Sequence, residues 1–372
     1  MFFPNVAAMR ERQWMDKSAY TYGLHGTPTT FTLEERIATL EGGLQCLLAP
    51  SGLAALALVN LGLLKTGDEV LLPDNAYGPG KDLAAGELRQ FGITHQVYDP
   101  MKPADLADRV TPRTRLVWLE AAGSVTLEFP DLLAQARLCR ELGVLSALDN
   151  TWGAGLAFNP FNLDGRGLAV DISVQALTKY PSGGGDVLMG SVVTRDAALH
   201  RKLKLCHMRL GLGVGGNDAE AVLRALPTLP LRYAAADRSA RRLAEWAARQ
   251  APFAQVLHPA LPASPGHAHW QAVCGAADAA GQGAAASLFS VVIDEKFSRE
   301  QVDAFCDALR LFRIGYSWGG PFSLVMPYEL QTMRHDWPAH LARGTLVRFA
   351  IGLEDTADLQ GDLQHAMQQT LA

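Results

Sequence analysis

Short apolar runs alternate with stretches of helical periodicity through the first half of the chain, and this alternation limits the possible folds more than any other feature. The runs are Cys46 to Ala49, Glu69 to Leu72, Thr94 to Tyr98, Arg115 to Glu120 and Val144 to Asp149. Between them lie helical patterns at Leu33 to Glu41, Leu53 to Leu64, Tyr77 to Gln90 and Pro130 to Leu142. Strands that far apart cannot be joined by a tight turn, so each pair is expected to lie parallel across a helical crossover. Two further runs, Ile172 to Ala176 and Gly190 to Thr194, extend the pattern. The expectation is a large α/β domain.

The ends of the chain read differently. Residues 1–30 are polar and rich in Tyr, Gly, Thr and Pro, which suits an extended arm reaching a neighbouring subunit. The large domain is expected over 31–225 and a smaller α+β domain over 226–372, with the boundary before Pro227 and Pro230. The latter holds helical patterns at Tyr233 to Arg249, Arg299 to Leu309 and from Thr356, and strands at Ser287 to Ile293 and Leu346 to Ile351. The Ala/Gly-rich stretch Gly275 to Ala286 is expected to be a surface loop.

Charge and cysteine content exclude several functions. A net charge of −5 without a Lys/Arg block argues against nucleic acid or an anionic membrane surface as a partner. The longest apolar stretch, Leu53 to Leu64, is too short to span a bilayer. The five cysteines are far apart and odd in number, which fits neither a disulfide framework nor a zinc site, so no metal is expected and a reducing cytoplasm is. The amino terminus lacks the basic region of a secretory signal. A small-molecule enzyme fits best.

Chemistry concentrates at a few positions. Asp149 closes one apolar run, and Lys179 follows the next, ahead of Gly183-Gly184-Gly185. A desolvated lysine has a lowered ammonium pKa and can form an imine, while a carboxylate beside a pyridine nitrogen keeps that nitrogen protonated. Pro50-Ser51-Gly52-Leu53 lies between a strand and a helix, where free amides and the helix dipole attract an anion. Tyr77 follows a strand and could stack on a flat ring or be a core aromatic. Arg348, inside the apolar run Leu346 to Ile351, needs an anion: a substrate carboxylate, or a protein acid such as Glu354 or Asp355. Gly211 to Gly216 follows a helix instead of a strand and reads as a loop, and His258, His267 and His269 read as solvated.

Taken in order, Tyr22-Gly23, Glu41-Gly42-Gly43, Ser51-Gly52-Leu53, Asn75-Ala76-Tyr77, Leu119-Glu120, Gly123-Ser124, Asp149-Asn150-Thr151-Trp152, Thr178-Lys179-Tyr180, Tyr316 to Gly320 and Arg348 with Gly352 to Asp355 cover nearly the whole chain. They resemble the transsulfuration (Cys/Met metabolism) family of pyridoxal-phosphate enzymes, and within it the bacterial β-lyases. The resemblance implies fold type I, with a mostly parallel seven-stranded sheet, and pyridoxal 5'-phosphate as cofactor. By the same resemblance Lys179 carries the cofactor and Asp149 meets its ring nitrogen, while Tyr77 stacks on the ring and, with Lys179, is a catalytic residue placed to assist proton movement. Ser51, Gly52, Leu53 and Thr178 hold the phosphate, and Tyr22 reaches that of a neighbouring subunit. Arg348, Ser317 and Trp318 hold the substrate carboxylate.

The implied reaction is carbon–sulfur β-elimination of L-cystathionine to homocysteine, pyruvate and ammonia, in a cytoplasmic homo-oligomer, a dimer of dimers. Gly123-Ser124 matches the β-lyase form of its motif instead of the Asn-Pro form of γ-synthases and γ-lyases. The family arginine two residues after the arm tyrosine is Leu24 here, followed by His25. The alternatives are γ-chemistry of the synthase or methionine γ-lyase kind, and a cofactor-binding regulatory protein with weak lyase activity.

Overall fold

The computed structural model describes residues 2–15, 17, 19–275 and 282–371. Seven strands form the large sheet: β1 (Gln45–Ala49), β2 (Glu69–Pro73), β3 (Thr94–Tyr98), β4 (Thr114–Glu120), β5 (Leu145–Asp149), β6 (Ile172–Ala176) and β7 (Gly190–Thr194). Their spatial order is β1-β7-β6-β5-β4-β2-β3. Every neighbouring pair from β6 to β3 is parallel, and β7 runs antiparallel to both β1 and β6. The mostly parallel sheet expected from the alternation is therefore present. Apart from the edge strand β3, its strands are largely buried on both faces, the helices Pro28–Glu41 and Leu132–Leu142 contributing to one core and Gly52–Leu63 and Ala197–Leu210 to the other.

A second sheet follows, made of β8 (Phe253–Leu257), β9 (Leu288–Asp294), β10 (Arg313–Ile314), β11 (Leu324–Tyr328) and β12 (Gly344–Ala350), in the order β10-β11-β12-β9-β8. All its pairs are antiparallel except β10 with β11. Beneath it, Phe289, Phe305, Phe312 and Phe349 share a core with the helix Thr356–Thr370. The helix Leu229–Ala247 joins the two bodies: Leu229 and Tyr233 lie in the large core, Leu243 and Ala247 in the small one.

Several expectations change. Residues 276–281 of the Ala/Gly-rich stretch lie outside the described residues, but Ala285 and Ala286 are fully buried, so the end of that stretch is core and not surface loop. Asp237 accepts the Ala285 amide at 3.0 Å, and the Trp270 indole donates to the Ala284 carbonyl at 2.9 Å. Small residues are what this close passage tolerates. His258 is also fully buried, not solvated, and burial pushes its pKa down to about 3. The opening residues include a short helix, Val6–Arg10, and a turn, Gly23–His25, and so are not extended throughout. Among the described residues no helix is long and apolar enough to cross a membrane.

Candidate active site

The carboxyl ends of β4, β5 and β6 converge on a cavity of ≈ 600 Å³. Open parallel sheets place ligands at this edge, because the crossovers leave a crevice there. The cavity is lined by Ser51, Gly52, Leu53, Tyr77, Asp149, Thr178, Lys179, Ser317, Trp318 and Arg348, which are all the site residues named from sequence except Tyr22.

Lys179 sits in the turn after β6. Its amide donates to the Ala176 carbonyl at 3.1 Å, and Ser182 Oγ closes the turn on the carbonyls of Thr178 and Lys179. Its Nζ donates to Ser317 Oγ at 3.0 Å and lies 5.2 Å from the centre of the Trp318 ring. Burial and the nearby Arg348 charge bring its pKa down to about 8, against a smaller opposing pull from Asp149. The amine gives up its proton far more readily than a solvated lysine, as imine formation requires.

Asp149 ends β5. Its Oδ1 accepts from Thr151 N at 3.0 Å and Thr151 Oγ1 at 2.6 Å, while Thr151 Oγ1 accepts the Ala176 amide at 2.9 Å. The acid is thereby tied to the strand that leads into Lys179. Burial raises its pKa, and the two Thr151 hydrogen bonds partly offset this. A cationic partner in the cavity would pull the pKa back down.

On the next strand Glu120 lies in register with Asp149 and also lines the cavity. Burial first, then Asp149, holds its carboxyl well above the usual range, and its Oε2 accepts the Tyr77 amide at 2.9 Å. Glu120 thus fixes the backbone of Tyr77, whose ring is half exposed at the cavity wall.

The helix Gly52–Leu63 points its amino end at the cavity. Ser51 Oγ caps it by accepting the Ala54 amide at 3.0 Å, which leaves the first-turn amides of Gly52 and Leu53 for an anion. A Cβ at Gly52 would stand 2.7 Å from Ala176 Cβ, so only glycine lets the helix sit this close to β6. Thr178 Oγ1 accepts the Met189 amide at 3.2 Å.

Arg348, on β12, is 5% exposed. Its Nη2 donates to the carbonyls of Tyr316 (2.6 Å) and Ser317 (3.3 Å), the guanidinium lies 5.2 Å from the Tyr328 ring, and Nε has no partner. The ion pair with Glu354 or Asp355 does not form: Glu354 accepts from Ser323 N and Oγ, and Asp355 caps the terminal helix. A buried cation without a protein acid favours the remaining alternative, a ligand carboxylate.

Tyr22 is exposed, meets His25 edge-on at 5.6 Å and does not line this cavity. Glu120 and Tyr328 are among the wall residues that sequence reasoning did not assign a role. The register of β4 against β5 could have pointed to the first, but nothing local marked the second.

This combination fits pyridoxal-phosphate chemistry: a lysine of lowered pKa, a buried acid lining the same cavity, a helix end with free amides and a buried arginine without a protein acid. The chain belongs to the family described as Cys/Met metabolism PLP-dependent enzymes, whose model matches residues 2–368. It is 38% identical to a cystathionine β-lyase of Bordetella avium, over 99% of this chain and 89% of that protein. It is 35% identical to the cystathionine β-lyase of Escherichia coli, over 92% and 84% of the two chains. Among solved structures, a cystathionine γ-synthase of Xanthomonas oryzae in complex with cystathionine superimposes with a TM-score of 0.84, at 30% identity, over 95% of this chain and 89% of that one.

Proposed function

We propose that this chain cleaves L-cystathionine by β-elimination to homocysteine, pyruvate and ammonia. The observation that carries the reading is Arg348, a buried guanidinium with an unpaired Nε, in the same cavity as the Lys179 amine. Both relatives named cystathionine β-lyase support the reaction. Pyridoxal phosphate, when bound, supplies an electron sink for the pair left at the substrate Cα.

The residues divide the remaining work. Lys179 Nζ would hold the cofactor, and as a free amine it would be the base that takes the proton from the substrate Cα. Asp149 would keep the ring nitrogen protonated, and Tyr77 would stack on the ring. Ser51, Gly52, Leu53 and Thr178 bind the phosphate, and Tyr22 does so in a neighbouring subunit. Arg348, with Ser317 and Trp318, orients the substrate carboxylate so that the Cα–H bond faces Lys179. Residues 1–30 form an intersubunit arm, 31–225 the cofactor domain and 226–372 the small domain. The working form is a cytoplasmic homo-oligomer, a dimer of dimers.

The resemblance to a γ-synthase structure supports a second reading, γ-chemistry on the same site. The two differ in product. Purified enzyme given L-cystathionine, lactate dehydrogenase and NADH is expected to oxidise NADH through pyruvate, with no activity from Lys179→Ala. Formation of 2-oxobutanoate in place of pyruvate selects γ-chemistry, and absence of either oxoacid refutes both.

A further inference from the structure

A second cluster of buried charge, outside the residues assigned above, joins the two bodies of the molecule beside the cavity. Its centre is Arg334, in the segment between β11 and β12. The side chain is 5% exposed, and its fork is fully used: Nε donates to Asp74 Oδ2 at 2.8 Å, Nη1 to Glu128 Oε2 at 3.0 Å and to Thr126 Oγ1 at 3.3 Å, and Nη2 to Glu128 Oε1 at 3.2 Å. Glu128 is fully buried and also accepts from Asn75 Nδ2, Thr126 Oγ1 and His340. Lys81 Nζ adds a second link, donating to the carbonyls of Asp74 at 2.8 Å and Met333 at 2.6 Å.

The cluster thus fastens three segments distant in sequence: 74–81 after β2, 123–128 after β4, and 333–340 from the small sheet's side. Each of them supplies cavity wall. Tyr77 and Gly78 come from the first, Ser124, Val125 and Leu127 from the second, and Met333 from the third.

The middle segment does not rest in a relaxed conformation. Val125 has φ 66° and Leu127 φ 54°, both in the left-handed region that branched side chains rarely adopt. Such a conformation persists only where its surroundings impose it. Here the Val125 carbonyl accepts from Ser290 Oγ at 2.6 Å, its side chain packs with Val292, Leu330 and Leu346 of the small sheet's side, and Thr126 between the two residues is bound by Glu128 and Arg334.

We propose that Arg334 is a positioning residue: its three-way fork to Asp74, Thr126 and Glu128 sets the wall formed by Tyr77, Val125 and Met333, and with it the affinity for an amino-acid substrate. The inference rests on the reading of the cavity as the substrate site. Lysine at position 334 would keep the charge but could satisfy only part of a fork that spans two acids. The wall would then relax, and small displacements of positioning groups cost far more in reaction than in folding.

The test compares the wild-type holoenzyme with R334K. Three quantities are read: cofactor content from visible absorbance, the dissociation constant for L-alanine from the spectral change it causes, and kcat/KM for L-cystathionine per bound cofactor. Cofactor content is expected to match wild type, while L-alanine affinity and kcat/KM each fall by about tenfold or more. A purely structural role predicts the reverse, lower cofactor content with both quantities unchanged per bound cofactor, and that result overturns the proposal. If R334K gives no soluble holoenzyme, D74N, which removes the charge facing Arg334 Nε and Lys81 Nζ, is judged by the same two outcomes. A wild-type enzyme that releases no oxoacid sinks the lyase reading, yet the L-alanine titration still decides this one.

Discussion

Replacing Arg348 with methionine should separate activity from stability. The substitution keeps an unbranched side chain of similar reach and removes the charge that no protein acid balances. In activity, the loss is that of one partner from a buried, hydrogen-bonded charge pair, about 2 to 5 kcal/mol, or about 30- to 4,000-fold in kcat/KM. In stability, two hydrogen bonds to the carbonyls of Tyr316 and Ser317 disappear, each worth about 0.5 to 1.5 kcal/mol. Against that stands the burial of an uncompensated guanidinium, a penalty of several kcal/mol that the variant no longer carries. The sum is a substrate-free protein as stable as wild type or more stable, by up to about 2 kcal/mol. Urea unfolding of the holoenzyme and the pyruvate-coupled assay measure the two sides. A variant that keeps kcat/KM within about tenfold of wild type, or one that loses more than about 2 kcal/mol of stability, contradicts the assignment of Arg348 to a ligand carboxylate.

Other perturbations follow from the same geometry. For Lys179 the folded pKa is about 8 against an ordinary 10.5, so the unfolded chain binds the extra proton between those values and the cofactor-free protein gains stability as pH rises through that window. Lys179→Met should therefore be more stable than wild-type apoprotein by about 3 kcal/mol below pH 8, with the difference vanishing towards pH 10.5, as denaturant unfolding across pH would report. The sign reverses for Glu128, held at about 2 against 4.5: its contribution is present above pH 4.5 and is lost as pH falls towards 2. E128Q should lose about 3 kcal/mol at neutral pH and show a correspondingly flatter acid unfolding profile. Gly52→Ala would push a Cβ to 2.7 Å from Ala176 Cβ, so phosphate contacts at the helix end should weaken and the cofactor dissociation constant, measured by fluorescence titration, should rise by about tenfold.

The large sheet was legible because period and spacing are local properties: Ile172–Ala176 and Gly190–Thr194 stand where the apolar runs end. The small sheet was only half legible. β8 pairs with β9 and β11 with β12 across intervening helices and loops, and Phe253–Leu257 and Leu324–Tyr328 are too mixed in polarity to stand out. The same limit governs the site. Asp149, Lys179 and Gly52 could be read from strand ends and turns, and Arg348 from a charge in an apolar run. His258 was misread because isolated histidines are usually wet, whereas here Ser264 Oγ accepts the residue's amide and its Nδ1 accepts from Ala260. The Arg334 cluster had no signature at all, because Arg334 stands 206 to 260 positions from the acids it binds.

The most direct test of the account is to reduce the purified holoenzyme with borohydride, digest it and locate the pyridoxyl group by mass spectrometry. The account predicts the modification on Lys179, with loss of the visible band and of pyruvate release in the reduced protein. Modification of another lysine, or a reduced protein that still releases pyruvate from L-cystathionine, would contradict it.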